Sequence, residues 1–202
     1  YIYCVGTGAS PQTQVYYAPV SSTGIGTWKS TTSFPGLPSS CSIYNGYIYC
    51  VGSSTSSSTS TVYYAPVSST GIGTWKSTTR YPVGMANVGC SIYNGYIYCV
   101  GSETLPRNYV YYAPVSSTGI GTWTSTTRYP VTMYEAGCSI YNGYIYCVGT
   151  SGASPLSVYY APVSSTGIGT WTSTTSYPVR MYEAYCEIPG SGGGYYGGGG
   201  PN

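Results

Sequence analysis

The chain repeats itself four times, and that repetition limits what it can fold into. Trp28, Trp75, Trp123 and Trp171 fall 47, 48 and 48 residues apart. Val15, Val62, Val110 and Val158 each open a Val-Tyr-Tyr-Ala-Pro-Val run that leads into Ser-Ser-Thr-Gly-Ile-Gly-Thr-Trp. A unit this short cannot bury an apolar face alone, so it must pack on its neighbours. Each period carries four β-prone runs, at 41–44, 47–51, 62–67 and 74–79 in the second unit. Four short strands per repeat of this length is the signature of a propeller blade. No stretch shows helical periodicity with caps. The expected fold is all-β: a four-bladed β-propeller of four-stranded antiparallel blades.

The clearest local signal is Cys41-Ser42-Ile43-Tyr44-Asn45-Gly46-Tyr47-Ile48-Tyr49-Cys50, which recurs at 90–99 and 138–147. Asn-Gly between two β-prone runs predicts a two-residue hairpin, because both residues accept the positive φ of a type I′ turn. With Asn45 and Gly46 at the turn, Tyr44 faces Tyr47, Ile43 faces Ile48, and Cys41 faces Cys50. Facing pairs alternate in hydrogen bonding, and the cysteines fall at the close, non-hydrogen-bonded kind. Disulfides Cys41–Cys50, Cys90–Cys99 and Cys138–Cys147 follow. A four-thiolate zinc site from Cys41, Cys90, Cys138 and Cys186 is the rival reading. It is set aside because strand side chains point across the sheet, where each cysteine has a facing partner. No metal or other cofactor is expected.

The two ends complement each other. Residues 1–6 match 47–52 but lack the preceding strand, whereas 181–188 match 133–140. The C-terminal strand is therefore expected to complete the first blade and to pair Cys186 with Cys4. On this reading 1–188 is the propeller, with the first blade split between 1–32 and 181–188. Further blades span about 41–79, 90–127 and 138–175, and 189–202 is a Gly-rich tail. Such a tail has the composition of a linker, and docking on a neighbouring subunit is the expectation here. Completion within one chain closes the ring and removes its edge strands. Completion between chains makes a strand-donating polymer, because head-to-tail contacts that do not close give filaments. Effective concentration favours closure within one chain. A chain that opens inside a strand pattern is expected of a processed product.

Composition narrows the setting. Charged residues are only 5% of the chain, with no His and no Asp, against 28 Tyr and 57 Ser plus Thr. Hydroxyls, rings and backbone must cover the surface in place of Lys and Glu. A net charge of +2 is too small to argue for nucleic acid or anionic lipid as a partner. No run is long and apolar enough for a membrane-spanning helix. Eight Cys point to an oxidising, extracellular setting. With no Asn-x-Ser/Thr sequon, any glycan is O-linked, and 53–61 is the Ser/Thr-rich candidate.

Variation between repeats sorts the loops. The Asn-Gly turns and the Ser-Ser-Thr-Gly-Ile-Gly connections barely change, whereas 7–14, 53–61, 102–109 and 150–157 vary, as do 33–40, 80–89, 128–137 and 176–185. In an up-and-down blade the variable loops share one end and the uniform loops share the other. The variable end is the candidate binding face, with Tyr134, Glu135, Tyr182, Glu183, Arg107 and Arg180 as its residues, and the uniform end is the candidate stacking face. Glu135 and Glu183 occupy equivalent positions and would be the only carboxylate pair for glycosidase-like chemistry. Two carboxylates without a His, a nucleophile pair or a metal do not make a catalytic constellation, so no enzyme is expected. One Trp per unit reads as packing between blades rather than as sugar stacking.

The segment Asn87-Val88-Gly89-Cys90-Ser91-Ile92-Tyr93-Asn94-Gly95-Tyr96-Ile97-Tyr98-Cys99-Val100-Gly101, with Tyr111-Tyr112 and Trp123 after it, resembles the kelch repeat. It is similar to that family's innermost hairpin followed by its spaced Tyr and Trp. The resemblance covers nearly the whole chain up to the tail, although Gly-Thr or Gly-Ser stands where the family has Gly-Gly. Kelch propellers usually carry six or seven repeats rather than four. The Tyr- and Cys-rich form resembles surface proteins of small prokaryotes, archaea in particular. The expected function is a non-enzymatic extracellular structural protein, a self-assembling surface-layer or filament subunit whose partners are copies of itself. A secreted adhesin or lectin-like propeller, binding glycan or protein through the variable face, is the alternative.

Overall fold

A computed structural model describes residues 1–5, 13–53, 60–85, 88–150, 157–178 and 188, with side chains omitted at 53, 134–136 and 149–150. Among these residues the chain is all-β, with no helix. The second unit is an antiparallel sheet of Leu37–Tyr44, Tyr47–Ser53, Val62–Ser68 and Lys76–Ser77, paired in that order. The third repeats it with Gly89–Tyr93, Tyr96–Val100, Val110–Ser116 and Thr124–Ser125. The fourth uses Tyr134–Tyr141, Tyr144–Thr150, Val158–Ser164 and Thr172–Thr174. The first unit has three such strands among the described residues: Ile2–Val5, Val15–Ala18 and Lys29–Thr31.

The inner hairpins follow the turn chemistry. Asn45 and Gly46 have φ of 46° and 77°, and the later copies repeat this at Asn94-Gly95 and Asn142-Gly143. The turn fixes the register, so Cys41 lies opposite Cys50, Cys90 opposite Cys99 and Cys138 opposite Cys147. All three pairs are disulfides, with Cα atoms 4.1 to 4.2 Å apart. That separation belongs to the close class of facing pairs. The first and third of these hairpins extend beyond the expected strand through a register shift, at Pro38/Ser40 and Tyr134/Gly137.

One connection is more ordered than its composition suggests. The Ser-Ser-Thr-Gly-Ile-Gly stretch reads as a loop, yet it folds back as a small hairpin in every unit. In the second unit Val67 pairs with Ile72 and Ser68 with Gly71, and the first, third and fourth units repeat this. Gly71 sits at φ 116°, where a side chain is strained.

An innermost strand is a sheet edge and leaves backbone groups without ladder partners. Serine hydroxyls from the preceding unit supply partners. The Ser42 hydroxyl donates to the Cys90 carbonyl at 3.3 Å and Ser91 to that of Cys138 at 2.8 Å, while the Cys90 N–H donates to Ser40 Oγ at 3.2 Å. The Ile188 N–H donates to Ser139 Oγ at 3.3 Å, so Ile188 lies against the fourth unit's first strand. Residues 179–187, including Cys186, lie outside the described residues, and with them the expected Cys4–Cys186 bond. Cys4 is exposed and has no disulfide partner among the described residues.

Candidate functional site

The joints between units are the most elaborate chemistry in the molecule. Each begins with the small hairpin and Trp of one unit and ends on the Thr-Thr pair of the unit before. The Ile72 N–H donates to Thr31 Oγ1 at 2.8 Å, and the Ile72 carbonyl accepts from Thr31 Oγ1 at 3.1 Å and Thr32 Oγ1 at 2.8 Å. The Trp75 Nε1–H donates to the Thr32 carbonyl at 3.2 Å, and its ring meets Phe34 edge-on at 5.0 Å. A tyrosine completes the joint: the Tyr3 hydroxyl donates to the Ser68 carbonyl at 2.7 Å.

The same set recurs twice. Thr78 and Thr79 hold Ile120, and Trp123 reaches the Thr79 carbonyl and packs on Tyr81. Thr126 and Thr127 hold Ile168, and Trp171 reaches the Thr127 carbonyl and packs on Tyr129. Tyr49 and Tyr98 donate to the carbonyls of Ser116 and Ser164, both at 2.8 Å. Glycine permits this approach. A Cβ on Gly71, Gly119 or Gly167 would overlap the hydroxyl of Thr31, Thr78 or Thr126.

The fourth copy of this surface is uncovered. Ile25 is 51% exposed, where Ile72, Ile120 and Ile168 are 3–4% exposed, and Trp28 is 43% exposed, where the other three Trp are 8–9% exposed. A Cβ on Gly24 would meet nothing within 4 Å. At the other end of the series Thr174 is exposed where Thr31, Thr78 and Thr126 are half-buried, and Tyr177 is half-buried where Phe34, Tyr81 and Tyr129 are buried. A closed four-unit ring would cover both faces, and among the described residues neither is fully covered. The expected packing role of Trp therefore holds at Trp75, Trp123 and Trp171 and fails at Trp28. The small hairpins expected on a stacking end instead dock sideways onto the preceding unit.

Burial changes the acid–base chemistry of the joint tyrosines. Loss of water around Tyr49, then the nearby Tyr47, Tyr64 and Tyr44 phenols, pushes its pKa up to about 12. Burial raises Tyr98, Tyr81 and Tyr129 in the same direction. These phenols remain neutral hydrogen-bond donors throughout the physiological range.

Three of the variable loops, 80–89, 102–109 and 128–137, meet among the described residues. The Glu103 N–H donates to the Gly84 carbonyl at 2.9 Å, and the Met133 N–H donates to that of Arg107 at 3.2 Å. Arg107 Nε–H donates to the Glu103 carbonyl at 3.2 Å, which makes Arg107 a tie within this loop cluster. Asn108 Nδ2–H donates to the Tyr129 carbonyl at 3.1 Å. Beside it Arg128 lies 4.3 Å over the Tyr109 ring, a pair the repeat comparison did not single out. Of the other candidate residues, Tyr134 and Glu135 have described backbone only, and Arg180, Tyr182 and Glu183 lie outside the described residues. No group of three or more metal-ligating side chains is present among the described residues. No helix among them is long and apolar enough to cross a membrane.

These features define a class: an all-β chain of stapled four-stranded antiparallel units packed in series, which is the construction of a β-propeller. Similarity to a solved structure supports it. The chain superposes on the structure of YjhT, a kelch-like propeller, with a TM-score of 0.66 at 14% identity over 87% of this chain. The match spans 62% of the YjhT chain, less than two thirds of its length. No protein-family model matches the sequence, and no curated protein does.

Proposed function

We propose that the chain is a non-enzymatic structural protein of the cell exterior, a self-assembling surface-layer or filament subunit built from kelch-like propeller units. The observation that carries this reading is the uncovered apolar face of the first unit, where Val20, Ile25 and Trp28 are 54%, 51% and 43% exposed. Contiguous exposed apolar surface on a folded protein marks an association site. Three disulfides support an oxidising setting, and a surface of hydroxyls and phenols suits burial in a lattice. Closure of the four units into one ring would also cover the face. Assembly is preferred, because the face stays exposed in the structure. Sedimentation velocity and negative-stain imaging of the 202-residue chain, with disulfides and any glycan retained, test it. Sheets, filaments or concentration-dependent oligomers are expected, and a monodisperse monomer at high concentration would sink the reading.

A second reading has its own observation. Arg128 over Tyr109 presents a cation and a ring on the variable loops, the chemistry of a glycan- or protein-binding adhesin. Glycan-array binding abolished by Tyr109→Ala, with assembly unchanged, would move the function to that face.

A further inference from the structure

We infer that the first unit's uncovered face docks on the fourth unit of a second copy of the chain, head to tail, by repeating the internal joint. This rests on the self-assembly reading and names its interface. The argument is one of identity. The Gly-Ile-Gly-Thr-Trp surface occurs four times in the sequence. Three copies, at Ile72–Trp75, Ile120–Trp123 and Ile168–Trp171, are seated on a Thr-Thr pair and an aromatic ring. The fourth copy, at Gly24, Ile25 and Trp28, is exposed. At the fourth Thr-Thr-x-Tyr edge, Thr174 is exposed and Tyr177 half-buried, whereas Thr31, Thr78 and Thr126 are half-buried and Phe34, Tyr81 and Tyr129 buried. One chain thus carries both halves of a joint that it has already made three times.

Docking two copies requires no new chemistry. Thr174 and Thr175 would take the Ile25 backbone, and Tyr177 the edge of the Trp28 ring. Tyr146 and the Ser21 carbonyl would supply the fourth tyrosine bond. Tyr146 is half-buried, as is Tyr3, which makes this bond to the Ser68 carbonyl, while Tyr49 and Tyr98 are fully buried. The contact is heterologous, since the two faces differ, so each added copy leaves one face of each kind free and the series continues.

The test uses the full chain and two charge-introducing variants on exposed positions, Ile25→Glu at one end and Thr174→Glu at the other. Sedimentation velocity of the parent chain is expected to show a concentration-dependent series beyond the dimer. Each variant alone is expected to associate about a hundredfold more weakly, the loss typical of a central anchor. Mixed one to one, the variants retain one sound face each and are expected to stop at a heterodimer. Unchanged denaturation midpoints and intact disulfides in both variants establish that they fold. A monomeric parent overturns both this interface and the assembly reading. Oligomers that persist in both variants overturn the interface and leave assembly standing. A monomeric parent that Ile25→Glu destabilises places the joint inside one chain, as ring closure requires, and overturns the proposal.

Discussion

The first unit and the three that follow it have nearly the same sequence and different surroundings. Trp28 and Trp123 sit at the same place in the repeat, yet one is 43% exposed and the other 8%. Gly24 and Gly119 share a φ of 118° and 116°, yet a side chain would find open space at one and the Thr78 hydroxyl at the other. The difference shows that this repeat does not generate its core from within. The small hairpin and Trp of one unit are buried by the unit before it, so the first unit's copy, with no such neighbour among the described residues, stays exposed.

The largest test of that contrast is the tryptophan. Trp123→Ala removes a buried ring and is expected to cost about 3–5 kcal/mol in chemical denaturation of the whole chain. Trp28→Ala, measured at a dilution where the chain is monomeric, is expected to cost less than about 1 kcal/mol, as exposed positions do. Equal losses would mean that the first unit is covered after all.

Next in size are the staples. Replacing Cys90 and Cys99 together by serine is expected to cost about 2–3 kcal/mol on the chain-entropy account of a short loop. The first unit has no such bond among its described residues, so native-state hydrogen exchange is expected to be faster at Ile2–Val5 than at Tyr96–Val100. Equal protection in the two strands would break the comparison.

The glycines give a cleaner, smaller contrast. Alanine at Gly24 or Gly119 incurs the same backbone strain, because the two share one φ. The difference between the two variants therefore isolates the joint, and Gly119→Ala is expected to be worse by about 1–3 kcal/mol, the range for overpacking. The smallest effect belongs to the tyrosine bonds. Tyr98→Phe loses the hydrogen bond to the Ser164 carbonyl and is expected to cost about 1 kcal/mol.

Titration extends the tyrosine argument. The folded state holds the Tyr49 phenol at about 12 against an ordinary 10. Folding therefore favours the protonated phenol: its contribution is complete below pH 10 and fades as pH rises toward 12. Ultraviolet difference absorbance is expected to show exposed phenols ionising first and a later group ionising together with unfolding. A single transition near 10 would contradict the buried joint.

Much of this was legible from residue order. Asn45-Gly46 set the turn, the turn set the register, and the register brought Cys41 to Cys50. Each step involves neighbours a few residues apart, where local conformational preference decides. The small hairpin at Gly71–Ile72 was not legible, because Ser-Ser-Thr-Gly-Ile-Gly has the composition of a loop. Its order comes from Thr31 and Thr32, some 40 residues earlier. The role of the Thr-Thr pair was hidden for the same reason. The uncovered faces were beyond sequence reasoning too: the match of the two chain ends says that they are complementary, whereas the turn per unit, summed over the series, decides whether they meet. At the variable end, Arg107, a candidate of the binding face, donates its Nε–H to the Glu103 carbonyl within its own loop cluster, a local tie that the repeat comparison did not show.

The placement of the disulfides has a mechanical consequence. Each of the three bonds closes a hairpin inside one unit, with a sequence separation of 9, and none of them spans a joint. Under tension the eight residues between each pair of cysteines carry no load. Full extension of the chain is shortened by about 80 Å as a result, at roughly 3.4 Å per residue. Compliance is then concentrated in the hydroxyl and aromatic contacts between units, which break and re-form without covalent chemistry. In the proposed assembly a strand of such subunits would yield at its links and recover, with the three stapled hairpins intact.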